Sequence, residues 1–328
     1  MSKYVPDISS RRWVIIADGR ENRPDENHVG RGEVNDQNDT DKTCPFCEGN
    51  EKMTPTELYR VGKGVAGEPG WDVRVIPNKY PITDFHEVII HSPKEDDLHH
   101  LSKDHIIKVF QTFRQRFNEY SKKGQVIIFC NQGEHAGMSI EHPHSQLVLL
   151  PNQINLSTLE QEPLDNIVEE NTFFNMYCPD FSQWPYEVWI APKVENTFFG
   201  DITDEEIVDL VDMYVRLMSR LEVMHETKSK TGKDFSYNFY IYPKEKWYMR
   251  IIPRFVYRAG FELGTGLSVN VTDPKEAAVE LRGENANRVA FNAKRYSGEM
   301  KREKIIEEKQ DEINLLKSKL EELGKIPC

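Results

Sequence analysis

The sequence predicts an α+β fold in which two similar units form a mainly antiparallel sheet flanked by helices, followed by a C-terminal helix. Two observations predict this fold. A succession of strand, proline-marked turn, amphipathic helix and two further strands occurs twice along the chain, as expected of an internal repeat. A charged segment with heptad-like spacing then ends the sequence. The strand pattern alone is also compatible with a parallel sheet.

The first copy starts with the strand and turn "HEVIIHSP", from His86. Ser102 can cap the helix that follows, because its hydroxyl accepts from a backbone N–H of the first turn. Apolar residues then recur on one helix face, which predicts burial in the core. They are Ile106, Val109, Phe110, Phe113 and Phe117. The strands "QVIIFCN" and "HSQLVLLP" complete the unit.

The second copy repeats this plan from "YEVWIAP", at Tyr186. Thr203 takes the place of the capping serine. The predicted core stripe consists of Ile207, Leu210, Val211, Tyr214, Leu217 and Met218. The strands "FSYNFYIYP" and "WYMRIIPR" follow.

Three regions are predicted: a first unit at 1–151, a second, degenerate unit at 152–285 and a helical tail at 286–328. Apolar residues of the tail lie at a- and d-like positions, namely Ile306, Ile313, Leu316, Leu320 and Leu323. They cover only about two to three heptads, so both a coiled coil and a helix packed on its own domain stay open.

The composition narrows the classes of partner. Of 328 residues, 42 are Lys or Arg and 54 are Asp or Glu, for a net charge of −12. This balance disfavours nucleic-acid binding, in which phosphate neutralisation supplies most of the affinity. The chain has neither an apolar run long enough for a membrane span nor an apolar signal core, so we expect a cytoplasmic protein without a membrane partner. Five cysteines do not suggest a disulfide framework.

Two motifs contain residues suited to metal binding and catalysis. "CPFC" places Cys44 and Cys47 at the spacing of half a zinc site; a pair of reduced structural thiols is the alternative. In "SIEHPHSQ", His142 and His144 project from one face of an extended segment that Pro143 stiffens. One imidazole can then orient the loop or bind metal, while the other can attack phosphorus.

Anion-binding groups surround these motifs in the sequence. Within "NQGEHAGMS", Gly133 and Gly137 let backbone amides turn toward an anion, and Ser139 adds a hydroxyl donor. Near the N-terminus the guanidinium groups of four residues suit phosphate, namely Arg11, Arg12, Arg20 and Arg23. Taken alone, these segments are better explained as an ordinary glycine turn and a solvated face.

Together the segments resemble the galactose-1-phosphate uridylyltransferase family, the His-x-His-x-Gln branch of the histidine-triad superfamily. The resemblance runs in order from "RRWVIIADGRENRP" through "CPFCEGNE", "VIPNKYP", "HEVIIHSP" and "NQGEHAGMSIEHPHSQ" to "RAGFELGTG", over roughly residues 10–283. It implies duplicated histidine-triad-like units, a homodimer, and transfer of a nucleoside monophosphate through a covalent histidine.

The resemblance also implies roles for individual residues. His144 would be the nucleophile, Gln146 would hold the non-bridging phosphate oxygens, and Ser139 would contact the outer phosphate. A further set would line the nucleotide and phosphate site: Arg20, Arg23, Asn78, Lys79, Asn131 and Gly133.

Structural zinc would be bound by Cys44, Cys47 and His142. The family often places its fourth ligand, a histidine, directly after the "SP" turn, where this chain has Glu95. Glu95 is therefore the expected fourth ligand; His91, His99 and the absence of zinc are the alternatives.

The second unit departs from the family pattern. Trp247 and Met249 stand where the family often has a histidine pair, so a second metal site is expected to be absent. "RAGFELGTG" resembles the segment that reaches the sugar across the dimer, which makes Glu262 an expected acceptor for sugar hydroxyls. A strand and turn that merely pack are the alternative for this segment.

The leading functional prediction is a nucleotidyltransferase like UDP-glucose–hexose-1-phosphate uridylyltransferase. Its partners would be a nucleotide sugar and either a sugar phosphate or inorganic phosphate. Phosphorolysis of a nucleotide sugar or dinucleotide, hydrolysis, and nucleotide binding without catalysis are the alternatives.

Overall fold

The computed structural model describes residues 2–7, 12–22, 44–154, 156, 164–231 and 234–283. Its strands are β1 (Lys3–Asp7), β2 (Arg12–Ile16), β3 (Tyr59–Gly62), β4 (Trp71–Pro77), β5 (His86–Ile90), β6 (Gln125–Gln132), β7 (His144–Leu150), β8 (Ile167–Glu170), β9 (Phe174–Tyr177), β10 (Val188–Pro192), β11 (Tyr237–Ile241) and β12 (Met249–Pro253). Its α-helices are α1 (Lys103–Tyr120), α2 (Asp204–Lys228), α3 (Gly260–Thr265) and α4 (Pro274–Arg282).

Ten of these strands form one sheet, in the order β3-β4-β5-β7-β6-β11-β12-β10-β9-β8. Its neighbouring strands pair antiparallel, which confirms the predicted α+β class and excludes the parallel alternative. Counted from each edge of the sheet to its centre, the order is β3-β4-β5-β7-β6 in one half and β8-β9-β10-β12-β11 in the other, which is the same arrangement. The two halves meet where β6 pairs with β11. This order is the one that a duplicated unit predicts.

The division at residue 151 stays a prediction, since hydrogen bonds of the sheet continue from one half into the other. The tail predicted at 286–328 lies outside the described residues. No helix of the described ranges combines the length and the apolar character that crossing a membrane requires.

Both predicted helix caps are present. Ser102 accepts from the backbone N–H of His105 at the start of α1. Thr203 accepts from the N–H of Glu206 at the start of α2, and the Glu206 carboxylate accepts in return from the N–H of Thr203. Such reciprocal caps satisfy N–H groups that have no partner within the helix. The two helices therefore begin where the sequence predicts.

The apolar stripes of both helices are buried against one face of the sheet. Leu147 and Leu149 of β7 belong to that core, together with Phe110 and Phe113 of α1. Because side chains alternate along a strand, His144 and Gln146 project from the opposite face. The helices thus bury one face of the sheet and leave the other for the site.

The second half differs from one alternative that the sequence left open. Residues of "RAGFELGTG" form α3, so the strand alternative for this segment is wrong. The Glu262 carboxylate accepts from the N–H of Ala259 and favours a helical turn there, which ends at Gly266 with a φ of 73°. Trp247 and Met249 are buried in the apolar core, where neither supplies a nitrogen ligand for metal.

Candidate active site

The face of the sheet opposite the helices holds a cavity of about 260 Å³. Apolar side chains form much of its wall, and they are Pro45, Phe46, Met53, Pro55, Ile76, Pro77, Ile140 and Val88. Its polar lining consists of Thr54, Asn78, Lys79, Tyr80, Ser139, His144 and Gln146. An apolar wall with a few converging polar groups is typical of small-molecule sites.

His144 lies at the first position of β7 and is 7 % exposed. Its Nδ1 lies 2.8 Å from the carbonyl oxygen of His142. A carbonyl only accepts, so Nδ1 carries the ring proton and the lone pair of the neutral ring is on Nε2. The Phe46 ring packs against this imidazole in a T-shaped arrangement, with centroids 5.3 Å apart. These contacts orient a ring whose Nε2 is able to act as a nucleophile.

Gln146 is oriented by a histidine on the neighbouring strand. The Nδ1 of His86 accepts from the N–H of Ile82 over 2.9 Å, so its proton is on Nε2. That Nε2 lies 2.9 Å from Gln146 Oε1 and donates to it. The oxygen of the amide is thereby engaged, and its NH₂ group is the end suited to donate to an anion in the cavity.

Other predicted residues meet at the same cavity. Ser139, Asn78 and Lys79 line it beside His144. Asn78 Oδ1 accepts from the N–H of Tyr80, which holds the turn after β4 in place. Arg20 donates to the Tyr80 carbonyl over 2.9 Å and therefore lies next to the cavity rim. Arg23 lies outside the described residues.

Besides Arg20, three predicted residues do not line this cavity. Asn131, on β6, accepts from the side chain of Asn238. Gly133 packs against Ser236, where a Cβ would lie 2.2 Å from the serine hydroxyl, and its φ is 85°. The close contact with Ser236 and the positive φ thus explain why this position is a glycine, without any contact to a ligand. Glu262 caps the turn of α3.

The predicted metal ligands come together near the cavity wall, to which Pro45 and Phe46 belong. Cys44, Cys47, His142 and Glu95 bring one ligand atom each within 4.8 Å of the others. His142 Nδ1 lies 3.5 Å from each sulfur, and Cys47 Sγ lies 3.4 Å from Glu95 Oε1. Tetrahedral zinc, with bonds of about 2.3 Å to sulfur and about 2.0–2.1 Å to nitrogen, sets a sulfur–nitrogen edge of about 3.6 Å. The four donors therefore fit zinc.

Hydrogen bonding prepares His142 for this role. Its Nε2 donates to the carbonyl of Ser92 over 2.8 Å, so the lone pair on Nδ1 faces the two sulfurs. Burial lowers the pKa of His142 and raises the pKa of Cys44, and burial together with Cys44 raises the pKa of Cys47 to about 12. A bound cation is what would stabilise the thiolates here.

The two alternative zinc ligands lie elsewhere. His91 is hydrogen-bonded through Nε2 to Ser145 on the helix side of β7. His99 belongs to a separate group with Asp97 and His100. Glu95 is thus the residue that the structure places with the two cysteines.

Sequence reasoning missed His86 and Phe46. His86 pairs with Val148 across β5 and β7, two residues from Gln146 on the same face. The feature that could have indicated His86 is its position at the start of "HEVIIHSP", where an imidazole begins a buried strand. Phe46 lies inside the CPFC turn, and its contact with His144 depends on a fold that motif spacing does not describe.

Comparison with known proteins identifies relatives. A family model for the N-terminal domain of galactose-1-phosphate uridyl transferase matches residues 85–151. ADP-glucose phosphorylase of Arabidopsis thaliana is 26 % identical, over 84 % of this chain and 91 % of its own. Galactose-1-phosphate uridylyltransferase of Haemophilus influenzae is 23 % identical, over 69 % and 74 %.

Solved structures give the same result. A crystal structure of an Arabidopsis thaliana ADP-glucose phosphorylase with bound ADP-glucose has a TM-score of 0.62 and 25 % identity, and the match covers 86 % of this chain and 99 % of that one. The ordered motifs, the duplicated sheet and these matches agree. The chain is therefore similar in sequence and fold to nucleotidyltransferases and phosphorylases that include galactose-1-phosphate uridylyltransferase.

Proposed function

We propose that the protein transfers a nucleoside monophosphate from a nucleotide sugar to inorganic phosphate through a covalent intermediate on His144. The observation that carries the proposal is the orientation of this ring. Its Nδ1–H is directed to the His142 carbonyl, and the ring lines the cavity beside Gln146 and Ser139.

In the first step, His144 Nε2 attacks the α-phosphorus of the nucleotide sugar. A P–N bond forms, the P–O bond to the β-phosphate breaks, and the electron pair leaves with the sugar 1-phosphate. The ring becomes cationic, and the bond from Nδ1 to the His142 carbonyl stabilises that charge. The Gln146 amide and the Ser139 hydroxyl donate to the phosphoryl oxygens.

In the second step, an oxygen of inorganic phosphate attacks the same phosphorus. The P–N bond breaks, neutral His144 is restored, and a nucleoside diphosphate leaves. Positioning and charge stabilisation supply most of the catalysis in such transfers. Zinc held by Cys44, Cys47, His142 and Glu95 would be structural: it would fix the segment that carries His142.

The choice of inorganic phosphate as acceptor rests on how much of each relative's length this chain matches. The match to ADP-glucose phosphorylase spans 91 % of that protein, whereas the match to the Haemophilus influenzae uridylyltransferase spans 74 %. ADP-glucose is accordingly the proposed donor. Uridylyl transfer to hexose 1-phosphate is the second candidate, favoured by the family model over residues 85–151. A cytoplasmic homodimer, with Glu262 reaching the partner's sugar, belongs to the same proposal.

Intact-mass spectrometry tests the proposal. We expect ADP-glucose without phosphate to give an adenylyl adduct on the parent protein and none on His144→Ala. Inorganic phosphate should discharge the adduct as ADP. Discharge by galactose 1-phosphate but not by phosphate would transfer the assignment to the second candidate. Turnover by His144→Ala equal to that of the parent would overturn the mechanism.

A further inference from the structure

A second group of metal-ligand side chains lies away from the cysteine site. Asp97, His99 and His100 belong to the turn between β5 and α1, and one ligand atom of each lies within 4.8 Å of the others. Glu222, on α2, adds a carboxylate: its Oε2 lies 3.1 Å from His100 Nε2 and 3.5 Å from His99 Nε2. The group thus combines residues from the two halves of the chain.

His99 distinguishes this group from an ordinary surface cluster. The residue is 3 % exposed, and neither of its ring nitrogens makes a hydrogen bond. The Glu222 carboxylate lies 3.5 Å from its Nε2. Burying a polar group without a partner is unfavourable, so a ligand bound between the nitrogen and the carboxylate would remove that penalty.

The chemistry of the donors defines that ligand. Two imidazoles and two carboxylates suit zinc and neighbouring transition-metal cations, whereas calcium and magnesium prefer oxygen alone. Bonds of about 2.0–2.2 Å to nitrogen and oxygen give tetrahedral edges of about 3.4 Å. The two separations between Glu222 and the histidines, 3.1 and 3.5 Å, lie on either side of this value.

Asp97 has the support that metal-binding carboxylates usually receive. Gln132, the last residue of β6, donates to Asp97 Oδ1 over 2.6 Å. A neutral amide donor on one oxygen leaves the other carboxylate oxygen suited to a cation. Burial raises the pKa of Asp97, and a cation would offset that cost.

We propose that Asp97, His99, His100 and Glu222 form a second site for a divalent transition-metal ion of the zinc class. The ion joins the turn after β5 to α2, and so links the first half of the molecule to the second. Its role is structural, because the site is built on residues that do not line the cavity of His144. The proposal does not depend on the proposed reaction.

Metal analysis of the full-length protein tests this site. The protein is stripped with chelator, incubated with excess zinc and desalted before elemental analysis. We expect about two ions per chain for the parent and about one for Cys44→Ser/Cys47→Ser. Adding Glu222→Gln to that double variant should abolish binding, whereas adding His105→Gln, a nearby histidine outside the group, should not.

Cobalt and heat provide independent readouts. In the Cys44→Ser/Cys47→Ser background, Co²⁺ should give ligand-field absorption without thiolate charge transfer. Zinc should raise its Tm, by binding linkage, and should have no effect once Glu222→Gln is present. Glu222 is partly exposed, so this variant is expected to fold, which the Tm in chelator checks. No bound zinc and no Tm shift in the cysteine double variant would overturn the proposal.

Discussion

The two halves of the sheet share their topology but use their open faces differently. In the first half, His144 and Gln146 line a cavity, and His86 is hydrogen-bonded to Gln146. In the second half, the ring of Tyr248 stacks between Trp189 at 3.9 Å and Tyr242 at 5.0 Å. Stacked aromatic side chains thus fill the open face of the second half, whereas polar side chains line a cavity on the open face of the first half.

The helix-facing sides, in contrast, have stayed alike. α1 and α2 both bury an apolar stripe against the sheet. Polar substitutions in either stripe would therefore lower the stability of the protein. Within the part of the chain that the structure describes, neither α1 nor α2 packs on the opposite face. It can therefore diverge toward a ligand site in one half and toward solid packing in the other, which is what a duplication permits.

The largest expected effect is the loss of activity in His144→Ala. Since the covalent step needs the imidazole, we expect turnover to fall by roughly 10⁴-fold or more. Rates of ADP-glucose phosphorolysis measure it. Tyr242→Phe, from the aromatic stack of the second half, is the matched control and should retain the parent rate. Equal losses in the two variants would contradict the functional difference between the halves.

The second half is expected to contribute stability instead. Arg250 and Glu187 form a buried ion pair of 2.7 Å beside the aromatic stack. Glu187→Ala leaves the guanidinium buried without its partner and should lower the free energy of unfolding by about 3–5 kcal/mol. Urea denaturation measures this change. A loss below about 1 kcal/mol would show that the pair is solvated in solution.

Gln146 offers an intermediate test of the first half. Removing one donor to the developing charge costs about 10²–10³-fold in kcat, and we expect this from Gln146→Ala. His86→Phe should cost less, roughly 10-fold or more, because it disturbs only the orientation of the amide. Single-turnover formation of the adduct separates both effects from product release. An unaltered rate in Gln146→Ala would assign the phosphoryl contacts to other donors.

Sequence patterns predicted the regular parts of this molecule well. Ser102 and Thr203 cap the helices as expected, because capping depends on residues close in sequence. The alternation of side chains along β7 likewise puts His144 and Gln146 on the same face, where both line the cavity. Long-range geometry was harder to predict: Asn131 pairs with Asn238 across the sheet rather than facing the cavity.

The same limit explains the other omissions. Glu222 comes to the histidines of the turn after β5 only because α2 packs beside that turn. No local pattern connects residues more than a hundred positions apart. Glu95 could be singled out because it follows a motif, but its contact with Cys47 needed the fold.

The smallest expected effect concerns Glu262, which tests whether the second half assists catalysis in a dimer. Within one chain its carboxylate caps α3 through the Ala259 N–H. If it also accepts from the partner's sugar, Glu262→Ala should lower kcat/KM for ADP-glucose by about 10-fold, as expected for one lost hydrogen bond of roughly 1.4 kcal/mol. Glu262→Gln retains an acceptor and should lose less.

Two measurements separate this role from simple capping. Light scattering at micromolar concentration should report a dimer for the parent and for both variants. Both substitutions of Glu262 should change the Tm little, because α3 lies in an exposed segment and a helix cap contributes only about 1 kcal/mol. A monomeric parent, or unchanged kinetics in Glu262→Ala on every nucleotide sugar that the parent accepts, would confine Glu262 to its place in the helix. The second half would then contribute to the first only structurally, through the continuous sheet that the two halves share.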